Sequence, residues 1–132
     1  MLNRRYVFGA VLAIAAAFSL SLFACAKDKT PFDQTAFEAA QTAGKPILIE
    51  VTASWCPTCK AQAPILSRLK SKPRFKELIS FNIDFDTQKA LLRKFGVRTQ
   101  STLIVFKGKQ ETGRSTGDTD PISIEALLAK AI

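Results

Sequence analysis

A chain of 132 residues holds one ordinary domain, and 47% apolar with 23% charged residues is the balance of a folded protein rather than a disordered tail. Histidine is absent, which excludes imidazole catalysis, His-ligated metals and a histidine proton shuttle. The formal net charge is +8, and three cysteines are too few for a disulfide scaffold. Asn3-Arg4-Arg5 precedes an uncharged, mostly apolar run from Tyr6 to Ala24, with small residues around Cys25. This is the pattern of an export signal over residues 1–26. The run is also long enough to span a bilayer as a retained anchor.

Residues 27–32 read as a short polar tether and residues 33–132 as the folded domain. Asp33 to Ala43 carries Phe37, Ala40 and Ala43 at helical spacing, and Gly44 supplies a stop. Pro46 to Ala53 is a β-branched run, continuous enough for a strand covered on both faces. A helix follows from about Cys56 to Leu69, with Ile65, Leu66 and Leu69 as its core stripe. Arg68, Lys70, Lys72, Arg74 and Lys76 read as a solvated face or as a surface drawn to anionic headgroups. Next come a strand over Ile79 to Asp84, a helix over Thr87 to Phe95 and a strand over Thr102 to Phe106. Lys107-Gly108-Lys109 turns the chain into a strand over Gln110 to Ser115. Pro121 opens the last helix, whose apolar face is Ile124, Leu127 and Leu128. This order predicts an α/β sheet with helices on both sides.

The chemistry lies at Trp55-Cys56-Pro57-Thr58-Cys59-Lys60. Two cysteines separated by two residues, directly after a buried strand and opening a helix, make a redox motif. With Cys56 as N-cap, Pro57 takes the first helical position, where its missing N–H costs nothing. The free N–H groups of Thr58 and Cys59 then point toward the Cys56 sulfur and, with the helix dipole, favour its thiolate form. Cys59, one turn deeper, can attack a mixed disulfide formed at Cys56. The competing reading is a structural disulfide or a pair of inert buried thiols.

On these residues the chain resembles the thioredoxin family over nearly all of residues 33–132. Trp55 precedes the first cysteine and Lys60 follows the second, as in typical members. Pro64 matches the proline that kinks the active-site helix, and Glu50 stands where the family keeps a buried aspartate. Asn82-Ile83-Asp84, Phe95-Gly96-Val97 and Gly117 also fall at family positions. The resemblance implies a thioredoxin fold: α/β, with a central mixed sheet of about four to five strands flanked by helices on both faces. It further implies thiol:disulfide exchange through Cys56 and Cys59, with no cofactor and no metal.

Glu50 also has a case from its surroundings. A carboxylate inside an apolar strand is expensive to ionise, which suits a proton acceptor for the Cys59 thiol. The alternative is that it projects to solvent at the sheet rim. Trp55, Pro57, Thr58, Gln100 and Ser101 are the expected substrate groove. Ser101 departs from the family, which places a cis-proline there. A non-proline cis bond costs about 2.5–4 kcal/mol, so Gln100-Ser101 is expected to be trans. Ser101 could instead offer its hydroxyl to the sulfurs.

Without a histidine between the cysteines, a mild reductant is the better expectation. The function expected is an exported enzyme, periplasmic or in the cell envelope and tethered to the membrane surface by its N-terminus. It would reduce disulfides of other exported proteins with electrons from a membrane donor. The alternatives are an oxidant or isomerase, or a redox-inactive binding module. Export argues against nucleic acid as a partner despite the basic charge. Cys25 is the lipidation candidate, since Leu22-Phe23-Ala24-Cys25 resembles a bacterial lipobox. Cleavage after Ala26, or retention of the whole anchor, are its rivals.

Overall fold

The computed structural model describes residues 30–132, so the segment expected to direct export, Cys25 and their expected fates lie outside the described residues. The elements in chain order are α1 (Gln34–Thr42), β1 (Pro46–Thr52), α2 (Pro57–Lys70), a 3-10 turn (Pro73–Phe75), β2 (Ile79–Asp84), α3 (Lys89–Phe95), β3 (Thr102–Lys107), β4 (Gln110–Thr116) and α4 (Pro121–Ala129). The four strands lie in the order β2-β1-β3-β4. β2 runs parallel to β1, while β3 is antiparallel to both β1 and β4. This is the mixed sheet that the family resemblance implies.

β1 explains the layering. Ile47, Ile49 and Val51 face Phe37 and Ala40 of α1, Leu92 of α3, and Phe81, Ile83 and Phe106. Leu48, on the opposite face, meets Leu66 and Leu69 of α2, Ile124, Leu127 and Leu128 of α4, and Phe75. The period-2 alternation thus feeds two cores from one strand. Each fully buried aliphatic contributes about 1.5–3 kcal/mol, so these four residues of β1 are a large part of what holds both helical layers to the sheet. Helix ends follow local chemistry. Asp33 accepts from the Ala36 N–H at 2.6 Å, Asp120 accepts from the Ser123 N–H at 2.8 Å, and Gly96 closes α3 at φ 64°.

Three departures from the sequence reading have physical causes. The residues expected to end the tether instead extend the sheet. The Asn82 N–H donates to the Thr30 carbonyl at 2.7 Å, and the Phe32 N–H donates to the Asn82 carbonyl at 2.9 Å. Phe32 also packs among Phe37, Phe81 and Phe95, with ring centroids 5.3–5.8 Å away. The domain therefore begins by Thr30 rather than Asp33. Second, Phe75 on the 3-10 turn is fully buried, a long-range contact with no periodic signal.

Third, α3 starts at Lys89 rather than Thr87. The Asp84 carboxylate captures the backbone N–H groups of Asp86 (2.9 Å) and Thr87 (2.8 Å) and the Thr87 hydroxyl (3.0 Å). That side chain offers the backbone an alternative to helix. The hydrogen bond from the Thr87 N–H, and then that from its hydroxyl, hold the Asp84 carboxyl below the usual carboxylate range. A depressed folded value stabilises above the unfolded value and is lost as pH falls through the folded one. The melting-temperature advantage of wild type over Asp84→Asn is therefore expected at neutral pH and should fade below about pH 4. Thermal melts across that range check this, and an advantage undiminished in acid would refute it.

Candidate active site

β1 ends at Thr52, and the chain turns through Ala53 so that the Cys56 N–H donates to the Ala53 carbonyl at 3.2 Å. Cys56 is the extended N-cap of α2, with Pro57 in the first turn, as its sequence position predicts. Its sulfur accepts from the Cys59 N–H at 3.0 Å. Cys56 and Cys59 form a disulfide, with their Cα atoms 5.3 Å apart. Cys56 is 0% and Cys59 4% exposed. A cavity of about 350 Å³ opens beside Cys59, lined also by Thr52, Ala53, Ser54, Lys60, Ala63 and Asp84.

Ser101, contributed by the segment before β3, sits against the pair. Its Oγ lies 3.1 Å from the Cys56 sulfur and 3.3 Å from that of Cys59. No peptide bond among the described residues is cis, so Gln100-Ser101 is trans, and Ser101 takes φ 62°. Its N–H donates to the Val51 carbonyl at 2.8 Å, and its carbonyl accepts from the Gly117 N–H at 3.0 Å. Trp55 is 54% exposed, with its indole N–H 2.9 Å from the Asp86 carboxylate. Pro57 is exposed, while Thr58 and Gln100 are half-buried.

Glu50 is 2% exposed, so the solvent-facing alternative does not hold. Nor is it a lone carboxylate. The Lys70 ammonium, itself in an 8% exposed residue, lies 2.7 Å from its Oε1. The reading of residues 68–76 as one solvated or headgroup-facing surface is corrected accordingly. Lys70 points inward from the last turn of α2, and Lys72 pairs with Glu125 at 2.7 Å, with Arg74 at 3.7 Å from the same carboxylate. The hydrogen bond from Lys72 holds the Glu125 carboxyl below its ordinary range.

The thioredoxin family model matches residues 28–130 of this chain. The chain belongs to the thioredoxin family. It is 31% identical over 91 residues to thioredoxin Asp f 29 of Aspergillus fumigatus, covering 69% of this chain and 82% of that protein. Against a thioredoxin of Chlamydia muridarum it is 33% identical over 84 residues, covering 64% of this chain and 80% of the relative. Among solved structures it is similar to Trxlp from Edwardsiella tarda EIB202. That match has a TM-score of 0.73 at 43% identity, covering 75% of this chain and 96% of the other. Family membership and the Cys56–Cys59 disulfide together make the chain a thiol:disulfide oxidoreductase.

Two buried polar residues at this thioredoxin site escape the sequence reading. One is Lys70. The other is Gln62, 2% exposed, whose amide nitrogen donates to the Ser101 carbonyl at 3.2 Å and the Asp118 carbonyl at 2.8 Å. A signal existed for both, since Gln62, Leu66 and Lys70 follow one another at i, i+4 on the inward face of α2. Polarity masks that periodicity. Among the described residues no group of three or more Cys, Asp and Glu side chains is placed to hold a metal ion.

Proposed function

We propose that this oxidoreductase works outside the cytoplasm at a membrane surface, reducing disulfides of other exported proteins with electrons from a membrane donor. The observation that carries the reading is the N-terminal pattern of Asn3-Arg4-Arg5 and an apolar run ending at Cys25, ahead of a thioredoxin domain. Cys56 is the attacking sulfur and Cys59 the resolving one. The Cys59 N–H at 3.0 Å and the helix N-terminus support that assignment, because both favour a charged Cys56. The Cys56 thiolate attacks one sulfur of the substrate disulfide, and the other leaves as a thiolate that takes a proton from water. Cys59 then attacks Cys56, releasing the second substrate thiolate and closing the Cys56–Cys59 disulfide. The substrate gains two electrons and the enzyme loses two. Glu50 accepts the Cys59 proton, with Lys70 offsetting the cost of burying its charge. Trp55, Pro57, Thr58 and Gln100 border the approach to the sulfurs.

Cys25 is the attachment point in this reading, with a lipid at its thiol holding the enzyme on the membrane. Mass spectrometry of the full-length gene product purified from a bacterial host checks this. A mature chain starting at a lipid-modified Cys25 is expected. An unmodified chain starting at Lys27 would refute membrane attachment, and an intact chain from Met1 would replace the lipid by an anchor helix.

A further inference from the structure

Ser101 combines two features that rarely coincide without a function. A non-glycine residue at φ 62° is strained, and here the strain is held from several sides: the Ser101 N–H on Val51, and its carbonyl under both the Gly117 N–H and the Gln62 amide. Its hydroxyl, 2% exposed as a residue, lies 3.1 and 3.3 Å from the two sulfurs. We infer that Ser101 is a catalytic residue of the exchange reaction. Its hydroxyl donates to whichever of the two sulfurs carries the charge, and Gln62 is the positioning residue that keeps it between them.

A hydroxyl has one hydrogen and can serve one sulfur at a time. Exchange needs no more than that. In the reduced enzyme the charge is on Cys56, which then receives the Ser101 O–H as well as the Cys59 N–H. Once Cys56 is bonded to a substrate sulfur it is neutral, and the hydroxyl is released. As Cys59 loses its proton and attacks Cys56, the hydroxyl turns to Cys59 without leaving its place. No additional oxidant or reductant enters these steps. Neither cysteine is more than 4% exposed, and hydrogen bonds to charge are strongest in such surroundings.

The consequence reaches the direction of electron transfer. A donor that stabilises thiolate but finds no charge on the disulfide favours the reduced enzyme. Ser101 thus adds thiolate stabilisation at the pair and makes this enzyme a weaker reductant than the same site would be without the hydroxyl. The inference rests on the exchange reaction alone and not on where the enzyme works.

The test uses the full chain in detergent, carrying Cys25→Ser so that only two thiols titrate. Ser101→Ala and Ser101→Gly both remove the hydroxyl, and glycine also tolerates the left-handed backbone, so it separates the hydroxyl from backbone strain. In both, the midpoint of thiolate absorbance at Cys56 should rise by about one pH unit. The reduced-to-oxidised ratio in a fixed glutathione buffer should fall about tenfold, equivalent to about 30 mV. Gln62→Leu should move both readouts the same way by a smaller amount. Unchanged midpoint and ratio in both Ser101 variants would overturn the inference while leaving disulfide reduction intact. A change in Ser101→Ala that glycine restores would assign the effect to the backbone and overturn it equally.

Discussion

Cys56→Ser is expected to reduce disulfide reductase activity at least about a thousandfold, to background, because the thiolate is the nucleophile and a serine hydroxyl is not. Cys59→Ser should keep the first attack and accumulate a mixed disulfide with substrate through Cys56. Burial does not separate the two roles, since the sulfur-bearing residues are 0 and 4% exposed, and the slight advantage in access belongs to Cys59. Charge separates them. Only Cys56 sits at the N-cap with a backbone N–H 3.0 Å from its sulfur. Mass spectrometry of complexes trapped by each single variant reads the assignment directly. A substrate adduct that forms on Cys59 in Cys56→Ser, with none on Cys56 in Cys59→Ser, would reverse the two roles.

Lys70→Met is the substitution expected to cost most stability. It leaves the buried Glu50 carboxylate, between Ile49 and Val51 of β1, with its 2.7 Å ammonium partner removed. Breaking a buried pair from one side costs about 3–5 kcal/mol. For a domain of this size that is a fall in melting temperature of about 10 °C or more. Adding Glu50→Gln to Lys70→Met should recover a large part of the loss, since no uncompensated charge then stays inside. Denaturant titration of the four species gives the coupling, and a Lys70→Met chain within about 0.5 kcal/mol of wild type would dismiss the pair as a structural element. Glu50→Gln alone carries a kinetic expectation too. Resolution of the mixed disulfide should slow several-fold near neutral pH, with little change in the first attack. Equal resolution rates in single-turnover experiments would remove Glu50 from proton transfer.

How much of this was legible in one dimension depended on the range of the interaction. The redox pair was readable because its physics is local. A strand running into a helix, a cysteine at the N-cap and a proline in the first turn are consecutive positions, and the N–H to sulfur contact follows from helix geometry. The element order was readable for a similar reason, since periods of 2 and 3.6 in apolar residues report burial face by face. The start of α3 moved because a side chain, that of Asp84, intervened, and the start of the domain moved because backbone hydrogen bonds to Asn82 tie Thr30 and Phe32 to the sheet.

Glu50 and Ser101 were legible as site residues, but the partners of the polar groups belonged to the tertiary structure. Glu50 and Lys70 lie on different elements, β1 and α2, and the period that places Lys70 on the inward face cannot say that a carboxylate waits there. Ser101 reaches the sulfurs because β3 pairs with β1, which brings its preceding segment to the end of the strand that leads into the redox pair. Gln62 was hidden in the same way, with both of its acceptors on loops that only the folded sheet brings to α2. Apolar burial is additive and non-directional, so a sequence pattern predicts it. A buried hydrogen bond or ion pair needs two specific groups at one distance and one angle, and chain folding alone decides which groups meet.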